Sequence, residues 1–104
     1  MELLTTHLET GNPSVLRVQG EIDLATADQL GEALTQALSA SQTVVVDMAG
    51  VTFIDGAGLR AIVQAAESMN GRAPLTLVNA PRVAWLLKVL GLSDIGSLDV
   101  QEGD

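Results

Sequence analysis

Few residues in this chain are of types and spacings that could do chemistry. They are the glycine-rich stretch FIDGAGLRA from Phe53 to Ala61, three aspartates at Asp23, Asp47 and Asp55, and a single histidine, His7. Within the stretch, G-A-G-L-R-A satisfies the G-x-G-x-x-G/A fingerprint, in which glycines let a pyrophosphate approach a helix N-terminus. The aspartates, if all three ended strands at one edge of a sheet, would suit a magnesium-dependent, phosphoryl-accepting site. Each is also a natural turn or helix-start residue, and Asp55 is well placed to cap a helix through its side-chain oxygen, so structural capping is the favoured reading over metal binding. No serine stands in a G-x-S-x-G elbow and His7 has no nucleophile in register, so a hydrolase triad has no support. There are no cysteines, which removes disulfides and the usual zinc sites, and one histidine does not make a multi-histidine metal site.

The elements around these residues decide what the glycines serve. In VLRVQGEI, Leu16, Val18, Gly20 and Ile22 alternate with Arg17, Gln19 and Glu21, the period of a strand with one solvated face. LLTTHLE before it reads as a partner strand, with TGNPS as the turn. In DLATADQLGEALTQAL, Thr26 and Gln29 have the spacing of a capping box, and Leu30, Leu34 and Leu38 with Ala27 and Ala37 make one apolar helix face, weakened slightly by Gly31. TVVVDM is a β-branched central strand covered on both faces or nearly so. Leu59, Ile62, Val63 and Ala66 mark a second helix that Gly71 can close, and LTLVN is the next strand. In APRVAWLLKVLGL, Pro81 opens a third helix, Val83, Leu86, Leu87 and Leu90 form its buried stripe, and Gly91 ends it with Leu92 behind. Trp85 lies off that stripe, and its ring is expected to fold over a sheet edge.

The order is therefore ββαβαβα with a short last strand near Leu98 to Val100: one α/β domain over residues 1–104, with a mixed sheet of four to five strands and helices packed against it. Gln101 to Asp104 reads as a loose tail. In that order the fingerprint fails. A dinucleotide site needs its glycines after the first strand, with an acid about 20 positions on at the end of the next. Here two strands, a helix and TVVVDM precede the glycines, the following strand ends at Asn79, and Asp55 sets a negative charge beside the first glycine. The glycines read as a tight strand-to-helix turn, and no cofactor is expected.

Thirteen acidic against five basic residues give a formal charge of -8, which repels nucleic acid and anionic lipid and favours a basic partner. The apolar runs fall far below the roughly 18 residues of a membrane span, and the N-terminus lacks the pattern of a signal peptide, so a cytoplasmic location is the default expectation.

VVVDMAGVTFIDGAGLRAIVQAAE, Val44 to Glu67, resembles the STAS domain, the family named for sulfate transporters and anti-sigma factor antagonists, in its short stand-alone bacterial form. The family signature is an apolar strand ending in Asp, a short loop, then an apolar segment ending D-S-S-G-L or D-T-S-G-L at a helix start. Those last positions read Asp55, Gly56, Ala57, Gly58 and Leu59 here. GEIDLATADQL, Gly20 to Leu30, and LLKVLGL, Leu86 to Leu92, agree with two further family blocks at fitting spacing. The resemblance implies a non-enzymatic, regulatory protein-binding domain. Its docking surface would be Asp55, Gly56, Ala57, Gly58 and Leu59, with Asp23 and Thr26 beside them. The partner implied is an anti-sigma factor with a serine-kinase/ATPase fold, without nucleic acid, metal or membrane insertion, and a weak homodimer is left open. An accessory subunit of a membrane lipid transporter is the alternative, and a small phosphoryl-accepting or nucleotide-binding enzyme ranks third. One departure from the family pattern is decisive. Partner-switching members carry a phosphorylatable Ser or Thr after the signature Asp, and this chain has Gly56. Thr52, Ser39, Ser41 and Thr43 retain hydroxyls, but none stands at that position.

Overall fold

The computed structural model describes residues 3–68, 74–92 and 95–103. Alternation in the first two apolar segments produces strands β1 (Leu4–Glu9) and β2 (Ser14–Ile22), an antiparallel pair in which Leu4 faces Gly20 and Glu9 faces Val15. Gly20 has a φ of 109°, and a Cβ there would collide with the Leu3 carbonyl, so only glycine lets β1 lie this close at that point. From β3 onward every strand is parallel to the one before it. Helix α1 (Ala27–Ala40) leads to β3 (Val44–Ile54), α2 (Gly56–Glu67) to β4 (Leu75–Val78), and α3 (Pro81–Val89) to β5 (Leu98–Val100). The five strands lie in the order β1-β2-β3-β4-β5, so each crossover moves to the adjacent position. The helices lie side by side, α1 against α2 and α2 against α3.

The core is the seam between these helices and the sheet: Leu16, Val18, Ile22, Val44, Val46 and Leu77 from the strands meet Leu30, Leu34, Ile62 and Val83. The alternate residues, such as His7, Arg17 and Asp47, occupy the other face, where Arg17 pairs with Glu9 across the hairpin.

Four local expectations are corrected. Thr26 and Gln29 form no capping box: the Thr26 hydroxyl accepts from Asp23 N–H (2.9 Å) and donates to the Glu21 carbonyl (2.9 Å), while the Gln29 amide donates to the Leu4 carbonyl (2.9 Å). Thr26 is buried and already committed to the preceding loop. The central strand does not stop near Met48 but runs on to Ile54 through an irregular register between Asp47 and Gly50, where the Asp47 carboxylate accepts from Ala49 N–H (3.0 Å). Leu90 is not in the buried stripe of α3. The helix ends at Val89, and Gly91, with φ 71°, closes it by bonds from Gly91 N–H to Lys88 O and Leu92 N–H to Leu87 O, which turns Leu90 outward to 53% exposure. Trp85 does not fold over an edge; it stays 63% exposed.

Helix α2 closes at Ser68, and Gly71, expected to end it, lies outside the described residues. The tail begins with an ordered residue: Gln101 N–H donates to Leu77 O, and its carbonyl accepts from Ala80 N–H, continuing the β5 ladder by one step.

Candidate functional site

Strands β2 and β3 end in register, Ile22 beside Ile54, and the Asp55 N–H donates to the Ile22 carbonyl at 3.1 Å. Two loops therefore leave the sheet side by side at its C-terminal edge. The first, after Ile22, is organised by Asp23: its carboxylate accepts from Ala25 and Thr26 N–H (3.0 and 3.1 Å) and its carbonyl from Ala27 N–H (2.8 Å). With Asp23 holding the backbone inward, Leu24 projects into solvent at 82% exposure.

The second loop is the glycine-rich turn. Asp55 is extended (φ -116°, ψ -172°) and caps α2, its Oδ1 accepting from Ala57 N–H (3.0 Å) and Gly58 N–H (3.1 Å). Those are the donors a bound phosphate would need, and the carboxylate of the chain itself fills their place with like charge. The glycines have different tasks. A Cβ on Gly58 would overlap the Cγ2 methyl of Ile22 and lie 3.0 Å from Cγ1 of Ile54, so Gly58 lets α2 settle onto β2 and β3. A Cβ on Gly56 would meet nothing within 4 Å, and its φ is outside the left-handed region. Gly56 is the exposed tip of the turn, and neither packing nor backbone strain requires glycine there.

The structure thus brings Asp23 and Asp55 together as half-buried groups flanking an exposed Gly56, with Ala57 half-buried behind it. Thr26, Gly58 and Leu59, also expected at the docking surface, are buried beneath the two loops. Asp47 is not part of the edge. Seven further residues of β3 separate it from Asp55, about 3.3 Å each, and it belongs to the uncovered sheet face. There the Asn79 amide donates to it at 3.0 Å and holds its carboxyl below the usual range, helped by the Ala49 N–H and the charge of Arg17 against modest burial. The three aspartates do not converge on a common point, so they do not form a phosphoryl-accepting triad.

Sequence reasoning missed Leu24 and the groove that it borders. Small residues line both walls, Ala27 and Gly31 from α1, Ala57 and Ala61 from α2, and leave an open channel of about 820 Å³ that runs from Leu24 along the two helices. A large apolar residue directly after the strand-end acid, in the turn D-L-A-T, was the available signal for Leu24. The channel needed the pairing of α1 with α2, which no local pattern contains.

The chain is thus a mixed five-stranded sheet with helices stacked together and a capped helix start displayed at its strand ends. The family model described as "Mlab, STAS domain" matches residues 6–100, and the chain belongs to the STAS domain family. Among solved structures, the crystal structure of an anti-sigma factor antagonist from Mycobacterium paratuberculosis is similar over 94% of this chain and 85% of that one, with 25% identity and a TM-score of 0.78. The unphosphorylated form of the anti-sigma factor antagonist SpoIIAA is similar over 86% of this chain and 83% of that one, at 23% identity and a TM-score of 0.60. An antisigma-factor antagonist STAS domain from Rhodobacter sphaeroides has a TM-score of 0.53 at 19% identity, over 65% of this chain and 76% of that one. No curated protein sequence matches the chain. Among the described residues no helix is long and apolar enough to cross a membrane.

Proposed function

We propose that this STAS domain is a regulatory binding protein of the anti-sigma factor antagonist type, which docks on an anti-sigma factor of the serine-kinase/ATPase fold and frees a sigma factor by occupying it. The docking surface is the pair of loops at the strand ends, Asp23 to Ala25 and Asp55 to Ala57. The observation that carries the reading is the shape and chemistry of the turn: an exposed, hydroxyl-free Gly56 held out by the Asp55 cap, in a fold shared with anti-sigma factor antagonists. A phosphoryl group on that tip would add about -1.5 to -2 charges beside Asp55 and repel an acidic or apolar partner surface. With glycine at the tip, the docking surface is permanently in its unmodified form. The same missing hydroxyl favours a second reading, an accessory subunit bound to the ATPase of a membrane lipid transporter, because such a subunit needs no switch.

The test uses Gly56→Asp and Gly56→Ser, both of which the open surroundings of Gly56 accommodate. The partner is captured from the source cell on the tagged native chain, identified, and titrated against native and variant proteins. Gly56→Asp forces an unpaired carboxylate into the interface, which costs about 2 to 5 kcal/mol, some thirty-fold to several-thousand-fold in affinity. An anti-sigma factor that binds native protein, loses affinity on Gly56→Asp, and phosphorylates Gly56→Ser alone supports the reading. A transporter ATPase as partner selects the second reading. Equal affinity for folded native and Gly56→Asp proteins removes this turn from the interface.

A further inference from the structure

The chain contains one Phe, one Trp and no Tyr, and neither aromatic residue lies in the core. Phe53 is 46% exposed at the end of β3, Trp85 is 63% exposed on α3, and although they stand 32 positions apart in the sequence they line the same surface hollow of about 330 Å³, with Ile54, Pro81, Arg82 and Leu86. Val89, one turn beyond Trp85, is 59% exposed, and Leu90 and Leu92 follow at 53% and 44%. Four of the seven large apolar residues exposed among the described residues thus lie on α3 and its C-terminal turn, and a fifth, Phe53, shares the hollow with Trp85 from the end of β3. Aromatic side chains left in water at this density, beside a concave apolar site, are the usual anchors of protein interfaces.

The charge around them is equally uneven. On a chain of net charge -8, α3 carries Arg82 and Lys88 and no acidic residue. Arg82 spends its Nε–H on the Thr52 carbonyl (3.1 Å), which fixes the guanidinium at the rim of the hollow. Among the described residues neither cation is paired with a carboxylate. Spaced three residues to either side of Trp85, the two cations flank it on one helix face.

We propose that this α3 surface is a second docking site, which takes a segment of a partner protein carrying a bulky apolar anchor flanked by carboxylates. The anchor enters the hollow between Phe53 and Trp85, and the acids meet Arg82 and Lys88. A second copy docked α3 to α3 would bring these cations against their own duplicates, and an anionic membrane, far wider than the patch, would also face the acidic remainder of the chain, which a short segment held between Arg82 and Lys88 does not. The site lies on the α3 flank of α2, across that helix from the α1/α2 groove.

Trp85 is the sole tryptophan, so its fluorescence reports directly on the hollow. Short random peptides displayed on phage are selected on the native chain, and the enriched sequences are synthesised and titrated by calorimetry and Trp85 emission. The expected result is enrichment of Trp, Phe or Leu together with an excess of Asp and Glu, and a shift of Trp85 emission to shorter wavelength on binding. Affinity falls about tenfold or more on Trp85→Ala, falls again on Lys88→Glu, and weakens with added salt. Circular dichroism and melting confirm that these surface variants are folded, and Gly56→Asp binds the peptides as the native chain does. Failure to enrich any sequence, enrichment without acids, or affinity indifferent to Trp85→Ala overturns the proposal. So does self-association in sedimentation that Trp85→Ala abolishes, which makes a second copy the occupant, or Trp85-dependent binding to phosphatidylglycerol vesicles, which makes it a membrane.

Discussion

Gly56 and Gly58 stand two residues apart in the same helical turn, and the structure predicts opposite consequences for replacing each with alanine. At Gly58 the added methyl overlaps Cγ2 of Ile22 and presses Cγ1 of Ile54 at 3.0 Å. Ile22 has no exposed surface, and the clashing methyl is attached directly to Cβ, so it has no flexible arm along which to retreat. Relief requires α2 to lift from β2 and β3, an overpacking cost of about 1–3 kcal/mol. Against it stands only the roughly 0.5–1 kcal/mol that alanine gains over glycine in a helix. Gly58→Ala should therefore lose about 0.5–2 kcal/mol, or roughly 3–10 °C in melting temperature for a domain of this size. Gly56→Ala meets no atom within 4 Å and keeps the small helix-forming gain, so it should melt at or slightly above the native temperature. Urea unfolding followed by circular dichroism measures both on one scale. If Gly58→Ala is as stable as Gly56→Ala, then α2 is not seated on Ile22 through Gly58, and the packing account of the second glycine is wrong.

Two further tests concern the aspartates. Asp55→Ala leaves the N–H groups of Ala57 and Gly58 without their acceptor, and should cost about 1 kcal/mol, whereas Asp55→Asn, which keeps an oxygen in place, should recover most of it; thermal melts of the two variants decide. Because Asn79 and Ala49 lower the pKa of Asp47, the stabilisation from its ionised form is complete above the unfolded carboxylate value of about 3.9 and is lost as pH falls through the lower folded value. The native chain should accordingly exceed Asp47→Ala in stability at neutral pH, with the gap closing only at strongly acid pH; a gap that closes between pH 5 and pH 7 contradicts this assignment.

Features set by neighbours within one turn of chain were legible in the residues themselves. Asp55 followed by small residues and then Leu59 and Ile62 specifies a capped helix start, because the acceptor and the donors it satisfies are two and three positions apart. Gly91 with Leu92 specifies a helix stop for the same reason, and the alternation in β2 fixes which of its faces is buried. The element order followed, and with it the strand-end edge where Asp23 and Asp55 meet. What depended on partners far along the chain was not legible. Gln29 reads locally as half of a capping box, yet its amide donates to the Leu4 carbonyl, 25 positions earlier, once β1 is laid beside β2. Asp47 reads as a strand-end acid until Asn79, from the end of a strand 32 residues later, is brought beside it by the parallel pairing of β3 with β4. Phe53 and Trp85 carry no sign of each other in the sequence. They share a hollow because β3 runs on past its irregular register to Ile54 and α3 returns over that end of the sheet. Local chemistry selects among conformations a few residues long, whereas register and helix placement are selected by the burial of the whole core, and only that larger balance determines which distant surfaces become one.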